Sequence, residues 1–197
     1  GDIHPLLCQL LYNRGISDPA EFEPFLAADE RLSCDPFLLP DMDRAVMRVL
    51  RALLRGELIA IYGDFDTDGI TATVILTQGL SLLGRKVIPY IPSRVEEGHG
   101  LNHGALDSLH RQGVSLVITV DCGITGIAEV AEAQDKGLDI VITDHHTPYS
   151  SCPPAFAAVD PKLERSRYPF ADLAGVGVSF KLLEALFQVT GKERRLG

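Results

Sequence analysis

Three short segments of the sequence concentrate residue types that bind metal ions or move protons. The first places three carboxylates within five residues, at Asp64, Asp66 and Asp68. Carboxylates this close repel one another, and a multivalent cation relieves the repulsion. Oxygen ligands of this kind suit Mg²⁺, Mn²⁺ or Ca²⁺. The segment therefore indicates a cation site, with a solvated acidic turn as its alternative.

The other two segments add a carboxylate and a histidine pair. Asp121 follows an apolar run, where a lone Asp often only caps the next helix. Asp144, His145 and His146 are consecutive and also follow an apolar run. Two imidazoles beside a carboxylate favour a mixed oxygen and nitrogen site, which fits Mn²⁺. The alternative is a pair of surface histidines at a turn.

The elements that must position these segments alternate between strand-like and helix-like patterns. Five apolar runs suit buried parallel strands, at 58–62, 87–91, 116–120, 140–143 and 156–159. Helical spacing covers residues 41–54 and about 70–83, 103–112, 124–136 and 176–189. Such alternation predicts an α/β fold with a five-stranded, mainly parallel, Rossmann-like sheet and helices on both faces.

Each acidic segment follows a predicted strand, which is where ligands bind in open parallel sheets. If the strands take the order 2-1-3-4-5, the first, third and fourth are neighbours. All three segments then meet at one edge of the sheet. Before this domain, a short apolar helical pattern and a proline-rich stretch predict a helical appendage over 1–40, with the catalytic domain over 41–197.

Composition limits the possible classes of function. The chain has 197 residues, a net charge of −9 and 46% apolar residues, and no apolar run approaches the about 20 residues of a membrane span. Its four cysteines include no CxxC pair, which argues against zinc-finger and redox motifs and suits a reducing cytoplasm. The acidic charge suggests either that acids bind metal ions or that a basic nucleic-acid surface lies elsewhere in a longer protein.

The motifs resemble those of the DHH phosphoesterase family. Asp144-His145-His146 resembles its signature tripeptide, and 63–69 and 120–123 resemble its first two motifs. Further stretches are similar to the RecJ-type single-stranded-DNA exonucleases of this family, namely 14–19, 92–102 and 173–181. His99 stands where the family usually has an aromatic residue. The family's fourth motif, another metal-binding Asp, and its second domain are expected beyond residue 197, so we expect little activity from this stretch alone.

The resemblance implies a 5′-to-3′ exonuclease of DNA repair and recombination that uses two Mn²⁺ or Mg²⁺ ions. It implies four metal ligands, which are Asp66, Asp68, Asp121 and His145. It also implies that Asp64, Asp144 and His146 complete the catalytic site. Arg94 is a candidate phosphate contact, with a surface salt bridge to Glu96 or Glu97 as its alternative. The implied partners are single-stranded DNA and, as further candidates, a single-strand-binding protein or a helicase.

Three alternatives remain at this point. The run 66–71 resembles the nucleophile motif of haloacid-dehalogenase-like phosphatases, with Asp66 as nucleophile. A second alternative, within the resembled family, is a nucleotide or cyclic-dinucleotide phosphodiesterase or a pyrophosphatase. The third is a non-catalytic scaffold of a replication assembly.

Overall fold

A computed structural model describes residues 3–27, 29, 32–93, 95 and 98–192. Backbone contacts divide the chain into a unit of residues 1–35 and a unit of residues 36–197. The assignment of an appendage over 1–40 and a catalytic domain over 41–197 stays a prediction. None of the described helices combines the length and the hydropathy that a bilayer crossing requires.

The first unit contains two short helices, α1 (Pro5–Asn13) and α2 (Pro19–Leu26). Each begins at a proline, whose fixed φ suits the first helical position. The residue before each proline caps the helix, because the side chains of His4 and Asp18 accept backbone N–H groups of the first turn.

The second unit is a doubly wound α/β domain that begins with a 3₁₀ turn at Pro36–Leu38. Its helices are α3 (Met42–Arg55), α4 (Thr67–Leu82), α5 (His103–Arg111), α6 (Ile127–Asp135) and α7 (Gly175–Thr190). Its strands are β1 (Leu58–Tyr62), β2 (Ile88–Tyr90), β3 (Val114–Val120), β4 (Asp139–Thr143) and β5 (Ala157–Val159). The element types agree with those that the sequence predicts, and the ends shift by up to three residues.

The five strands form one sheet in the order β2-β1-β3-β4-β5, and every pair is parallel. This is the order under which the sequence places all three acidic segments at one edge. In the register of the central strands, Tyr62 lies opposite Thr119, and Val120 lies opposite Thr143. The carboxyl ends of β1, β3 and β4 are consequently level with one another at one edge.

Apolar side chains bury both faces of the sheet. On one face, Ala60, Val117 and Ile140 join a core cluster with residues of α5 and α6. On the other face, α4 packs closely on α7, because Gly79 meets Leu183 with no room for a Cβ atom. Burial on both faces explains why the strands are nearly continuous apolar runs.

A buried arginine joins the opposite, amino edge of the sheet. Arg48 on α3 is 5% exposed and donates to Asp139 Oδ2 at 2.5 Å and to Glu57 Oε2 at 2.6 Å. It also donates to the carbonyl of Ser115 at 3.4 Å. These acceptors lie within one residue of the starts of β1, β3 and β4, so one guanidinium holds the starts of three strands together.

Candidate metal centre

The predicted site residues that the structure describes come together beyond the carboxyl ends of β1, β3 and β4. Asp64, Asp66 and Asp121 each offer one oxygen within a span of 4.8 Å. Asp121, His145 and His146 form a second group within the same span. Asp121 belongs to both groups, so it lies between the two sets of donors. Either set could hold a divalent cation.

The backbone ladder continues past the strands and fixes the acids side by side. The amide of Asp121 donates to the carbonyl of Thr143 at 3.0 Å, and the amide of Asp144 donates to the carbonyl of Val159 at 3.1 Å. Each acid is therefore held by its neighbouring strand rather than by a free loop. The side chains at this edge start from fixed backbone positions.

Asp64 and Asp66 lie in the tight connection between β1 and α4. The Asp66 carboxylate caps α4 by accepting the Gly69 amide at 3.0 Å. Asp64 is 8% exposed, and its Oδ1 accepts the Phe65 amide at 2.8 Å. A Cβ atom on Gly69 would lie 2.5 Å from the Asp64 carbonyl oxygen, so this connection requires glycine. The positive end of the helix also favours the nearby carboxylates.

Asp68 joins the first turn of α4 to the start of α7. Its Oδ2 accepts the Gly175 amide at 2.8 Å, and its Oδ1 accepts the Val176 amide at 2.7 Å. These bonds satisfy two amides that an isolated helix end would leave without a partner. His145 Nε2 lies 3.7 Å from Asp68 Oδ2, the oxygen that accepts the Gly175 amide.

Asp121 is the most constrained acid of the group. It is 2% exposed and has φ 61°, a left-handed conformation that is uncommon for a residue other than glycine. His145 Nε2 approaches its Oδ1 to 3.1 Å, but the contact lacks hydrogen-bond alignment. Among the described residues, this buried oxygen has no hydrogen-bond partner. Such a group is costly to bury without a compensating ligand.

The electrostatics of Asp121 agree with this geometry. Burial, together with the negative charges of Asp68 and Asp66, raises its pKa to about 7. The folded protein thus disfavours the charged form of the central carboxylate when no cation is present. A divalent cation among these oxygens would reverse that preference.

Asp144 and His146 form a hydrogen-bonded pair beside the acids. Asp144 is 1% exposed, and its Oδ1 lies 2.7 Å from His146 Nδ1. Although burial opposes its charge, the hydrogen bonds from His146 and from the Ile124 amide leave the pKa of Asp144 below its ordinary value. The same bond raises the pKa of His146 to about 9. This raised pKa favours the cationic form of the imidazole at neutral pH. The side chain is half exposed.

An open cleft of about 470 Å³ lies over this centre. Asp64, Asp121, Asp144 and His146 line it, together with His99, Gly100, Cys122, Gly123, Thr125, Thr147 and Tyr149. The ring of His99 contacts that of Phe65, with 4.3 Å between centroids, and its Nδ1 lies 3.4 Å from Asp64 Oδ2.

Asp160 is a further acid at this edge that we did not predict from the sequence. It follows β5 directly, is fully buried, and its Oδ2 has no hydrogen-bond partner among the described residues. Burial raises its pKa to about 7. The sequence feature that could have identified Asp160 is its position after an apolar strand, the same feature that singles out Asp121.

Arg94, the predicted phosphate contact, lies outside the described residues.

Comparison with known proteins places this arrangement in a family. The model of the "DHH family, N-terminal domain" matches residues 58–196. The single-stranded-DNA-specific exonuclease RecJ of Bacillus subtilis is 43% identical over 184 residues, which are 93% of this chain and 23% of that protein. The chain spans only 23% to 33% of the first curated relatives that it matches.

Solved structures give the same result. A crystal structure of exonuclease RecJ bound to manganese superposes with a TM-score of 0.69 and 41% identity, over 78% of this chain and 39% of the other. RecJ from Thermus thermophilus in complex with Mn²⁺ gives a TM-score of 0.68 and 33% identity, over 94% of this chain and 25% of the other. The family model matches more than half of the sequence and includes every segment of the acidic edge. The chain therefore belongs to the DHH family.

Proposed function

We propose that this chain is the catalytic domain of a metal-dependent phosphodiester hydrolase that degrades single-stranded DNA from its 5′ end. Its similarity to single-stranded-DNA-specific exonucleases and to manganese-bound RecJ structures supports this proposal. One observation carries it. The buried Oδ1 of Asp121 has no hydrogen-bond partner among the described residues, yet it lies among further acids and an imidazole.

The proposed metal ligands are Asp66, Asp68, Asp121 and His145. Carboxylate oxygens with an imidazole nitrogen suit Mn²⁺, and the oxygens alone suit Mg²⁺. When bound, such an ion supplies Lewis acidity toward a phosphoryl oxygen and lowers the pKa of a water ligand. In this proposal the hydrogen bonds from the Gly175 and Val176 amides hold the Asp68 carboxylate in one orientation. Each carboxylate oxygen keeps a lone pair for a cation.

Asp144 and His146 would stabilise charge and transfer a proton at the reacting phosphate. Because Asp144 holds His146 through Nδ1, Nε2 is the ring nitrogen left for a substrate oxygen. A cationic imidazole at this position can stabilise negative charge on the phosphate or donate a proton to the leaving oxygen. Asp144 then acts through His146 and keeps its orientation and its charge.

Asp64 and Arg94 would complete the proposed site. Asp64 is oriented by the Phe65 amide, and its Oδ2 faces His99 at the wall of the cleft. Arg94 belongs to the segment that leads from β2 to α5, and a guanidinium can hold two phosphate oxygens at once. Its role as a phosphate contact stays a prediction from the sequence.

We also propose a cytoplasmic setting in which a single-strand-binding protein or a helicase presents the DNA. None of the four cysteines, all of them in the described part of the chain, forms a disulfide, which suits a reducing compartment. The alternative with Asp66 as a covalent nucleophile is weaker, because the chain belongs to the DHH family and Asp66 caps α4. The alternative of a non-catalytic scaffold does not explain why the predicted metal ligands converge at one edge of the sheet.

The test uses the natural full-length protein that contains this chain, with Mn²⁺, Mg²⁺ or EDTA. Its substrates are single-stranded DNA, duplex DNA, a short dinucleotide and pyrophosphate. We expect metal-dependent release of 5′-mononucleotides from the single strand, and none in EDTA. Cleavage of the dinucleotide or of pyrophosphate alone would replace the proposal with the corresponding small-molecule activity. Equal rates on duplex and single-stranded DNA would contradict the proposed specificity.

A further inference from the structure

Tyr149 is an exposed aromatic residue in the lining of the acidic cleft. It lies in the same cleft as Asp64, Asp121 and His146, and it is 64% exposed. Within the part of the chain that the structure describes, its side chain has no hydrogen-bond or ring partner. A large ring with open faces therefore stands at the wall of the site.

The other exposed rings of this cleft are already engaged. His99 contacts Phe65, with 4.3 Å between ring centroids, and His146 contacts His145, with 4.7 Å between ring centroids. Tyr149 has no comparable neighbour among the described residues. Among the described rings of the cleft lining, Tyr149 is thus the one with no other ring packed against it.

The loop that carries Tyr149 is restricted by prolines. It connects β4, which ends at Thr143, to β5, which begins at Ala157. Pro148 directly precedes Tyr149, and Pro153 is buried farther along the same loop. Proline fixes its own φ and restricts the residue before it, so the loop has fewer alternative conformations. A loop restricted in this way loses less backbone entropy when a ligand binds to it.

Apart from His146, the described lining gives little electrostatic help to a polyanion. Its described residues supply carboxylates, imidazoles, hydroxyls and a thiol, with no lysine or arginine among them. A nucleic acid that follows this wall therefore needs contacts in addition to the ion pairs proposed for His146 and Arg94. Stacking of a base on an aromatic ring is independent of charge and tolerates every base.

We propose that Tyr149 is a specificity-determining contact that stacks on a nucleobase of the single strand and holds it beside the acidic centre. This inference rests on the proposed exonuclease function. It assigns Tyr149 to substrate binding, because its ring touches the base and no reacting atom. Double-stranded DNA keeps its bases stacked on one another, so the same contact favours a single strand.

The experiment measures KM and kcat of the natural full-length protein on two single-stranded substrates, one ordinary and one with abasic residues in its first 5′ nucleotides. On the ordinary substrate we expect Tyr149→Leu to raise KM about tenfold with nearly unchanged kcat, because stacking is worth that much per base. Tyr149→Phe keeps the ring and is expected to behave as the parent protein does. Phe170→Ala, an exposed ring outside the cleft lining, is the surface control.

The abasic substrate separates stacking from a structural role. The KM of the parent protein is expected to rise about tenfold on it, whereas that of Tyr149→Leu rises no further. An unchanged KM for Tyr149→Leu on ordinary DNA overturns the inference, as does an equal further rise on abasic DNA or a raised KM with Tyr149→Phe. A parent protein that hydrolyses no single-stranded DNA overturns the proposed function instead, and the inference with it.

Discussion

Gly175 at the start of α7 stands directly against the carboxylate of Asp121. A Cβ atom on Gly175 would lie 2.5 Å from Asp121 Oδ1 and 2.7 Å from Asp121 Cγ. Backbone and carboxylate are thus in contact at a point where no side chain fits. The glycine is required by this close approach, and the acid in turn is kept from turning toward α7.

We therefore predict that Gly175→Ala displaces Asp121 or the start of α7. The expected cost of overpacking is about 1–3 kcal/mol of unfolding free energy, together with a loss of about tenfold or more in Mn²⁺ affinity. Gly177→Ala is the matched control, since its Cβ would meet only the flexible end of Leu173 at 3.3 Å. Urea unfolding and calorimetric Mn²⁺ titration measure both effects. Normal Mn²⁺ affinity in Gly175→Ala would show that the contact does not position Asp121.

Asp121→Asn is expected to weaken Mn²⁺ binding by about a hundredfold or more. Loss of a metal ligand should lower the affinity at least as much as loss of a residue that orients a ligand. The same change should stabilise the metal-free protein at pH 8. Burial and the neighbouring acids raise the pKa of Asp121 to about 7 in the folded state. Its contribution to stability is present below its unfolded pKa of about 4 and is lost as the pH rises to about 7.

Melting temperatures in EDTA at pH 5 and pH 8 test this sign. Asp121→Asn should melt higher than the parent protein at pH 8 by an amount that corresponds to about 1–2 kcal/mol, with a smaller difference at pH 5. Asp135→Asn, an exposed acid on α6, is the surface control. If Asp121→Asn instead melts lower at pH 8, the carboxylate is not under electrostatic strain.

Asp144→Asn should move the pKa of His146 down from about 9 toward the ordinary histidine value, since the hydrogen bond with Asp144 is the main cause of the shift. Activity that depends on a cationic His146 should then fall more at pH 8 than at pH 6. An NMR titration of the imidazole measures the pKa directly. Asp160→Asn removes a buried carboxylate that accepts the Lys162 amide and has no described hydrogen bond with His146, so it serves as the comparison. A His146 pKa still near 9 in Asp144→Asn would contradict the prediction.

Arg48→Met should destabilise the fold and leave the metal centre intact. The change leaves Glu57 and Asp139 without their shared cation, and removing one partner of a buried ion pair costs about 3–5 kcal/mol. Since Asp139 is 39% exposed, we expect the lower part of that range. Arg44→Met, half exposed on the same helix, should cost no more than about 0.5 kcal/mol. A reduced Mn²⁺ affinity below the melting temperature would show that the two sheet edges are coupled.

The alternation of strands and helices and the acidic segments that follow the strands could be predicted from the sequence, because both depend on local patterns. The strand order entered the sequence argument only as a condition, and the structure supplies it. Helix starts are less predictable. Helical spacing alone begins α4 near residue 70, but the Asp66 cap starts the helix at Thr67. It begins α6 near residue 124, where Gly123 has φ 110° and the Ile124 amide instead donates to Asp144.

Long-range contacts could not be predicted from spacing. The bonds from Gly175 and Val176 to Asp68 join residues more than a hundred positions apart. Asp160 escapes prediction because a single acid after a short strand is ambiguous, and only its burial and unpaired oxygen distinguish it among the described residues. Both features depend on tertiary packing at the edge of the sheet.

The bonds from α7 to Asp68 have a thermodynamic consequence. In our proposal one carboxylate both coordinates a cation and anchors the first two amides of a 16-residue helix. Occupancy of the cation site and docking of α7 are then linked functions, and linkage is reciprocal. An ion that orders Asp68 tightens the helix by the same free energy with which a firmly seated helix raises the affinity for the ion.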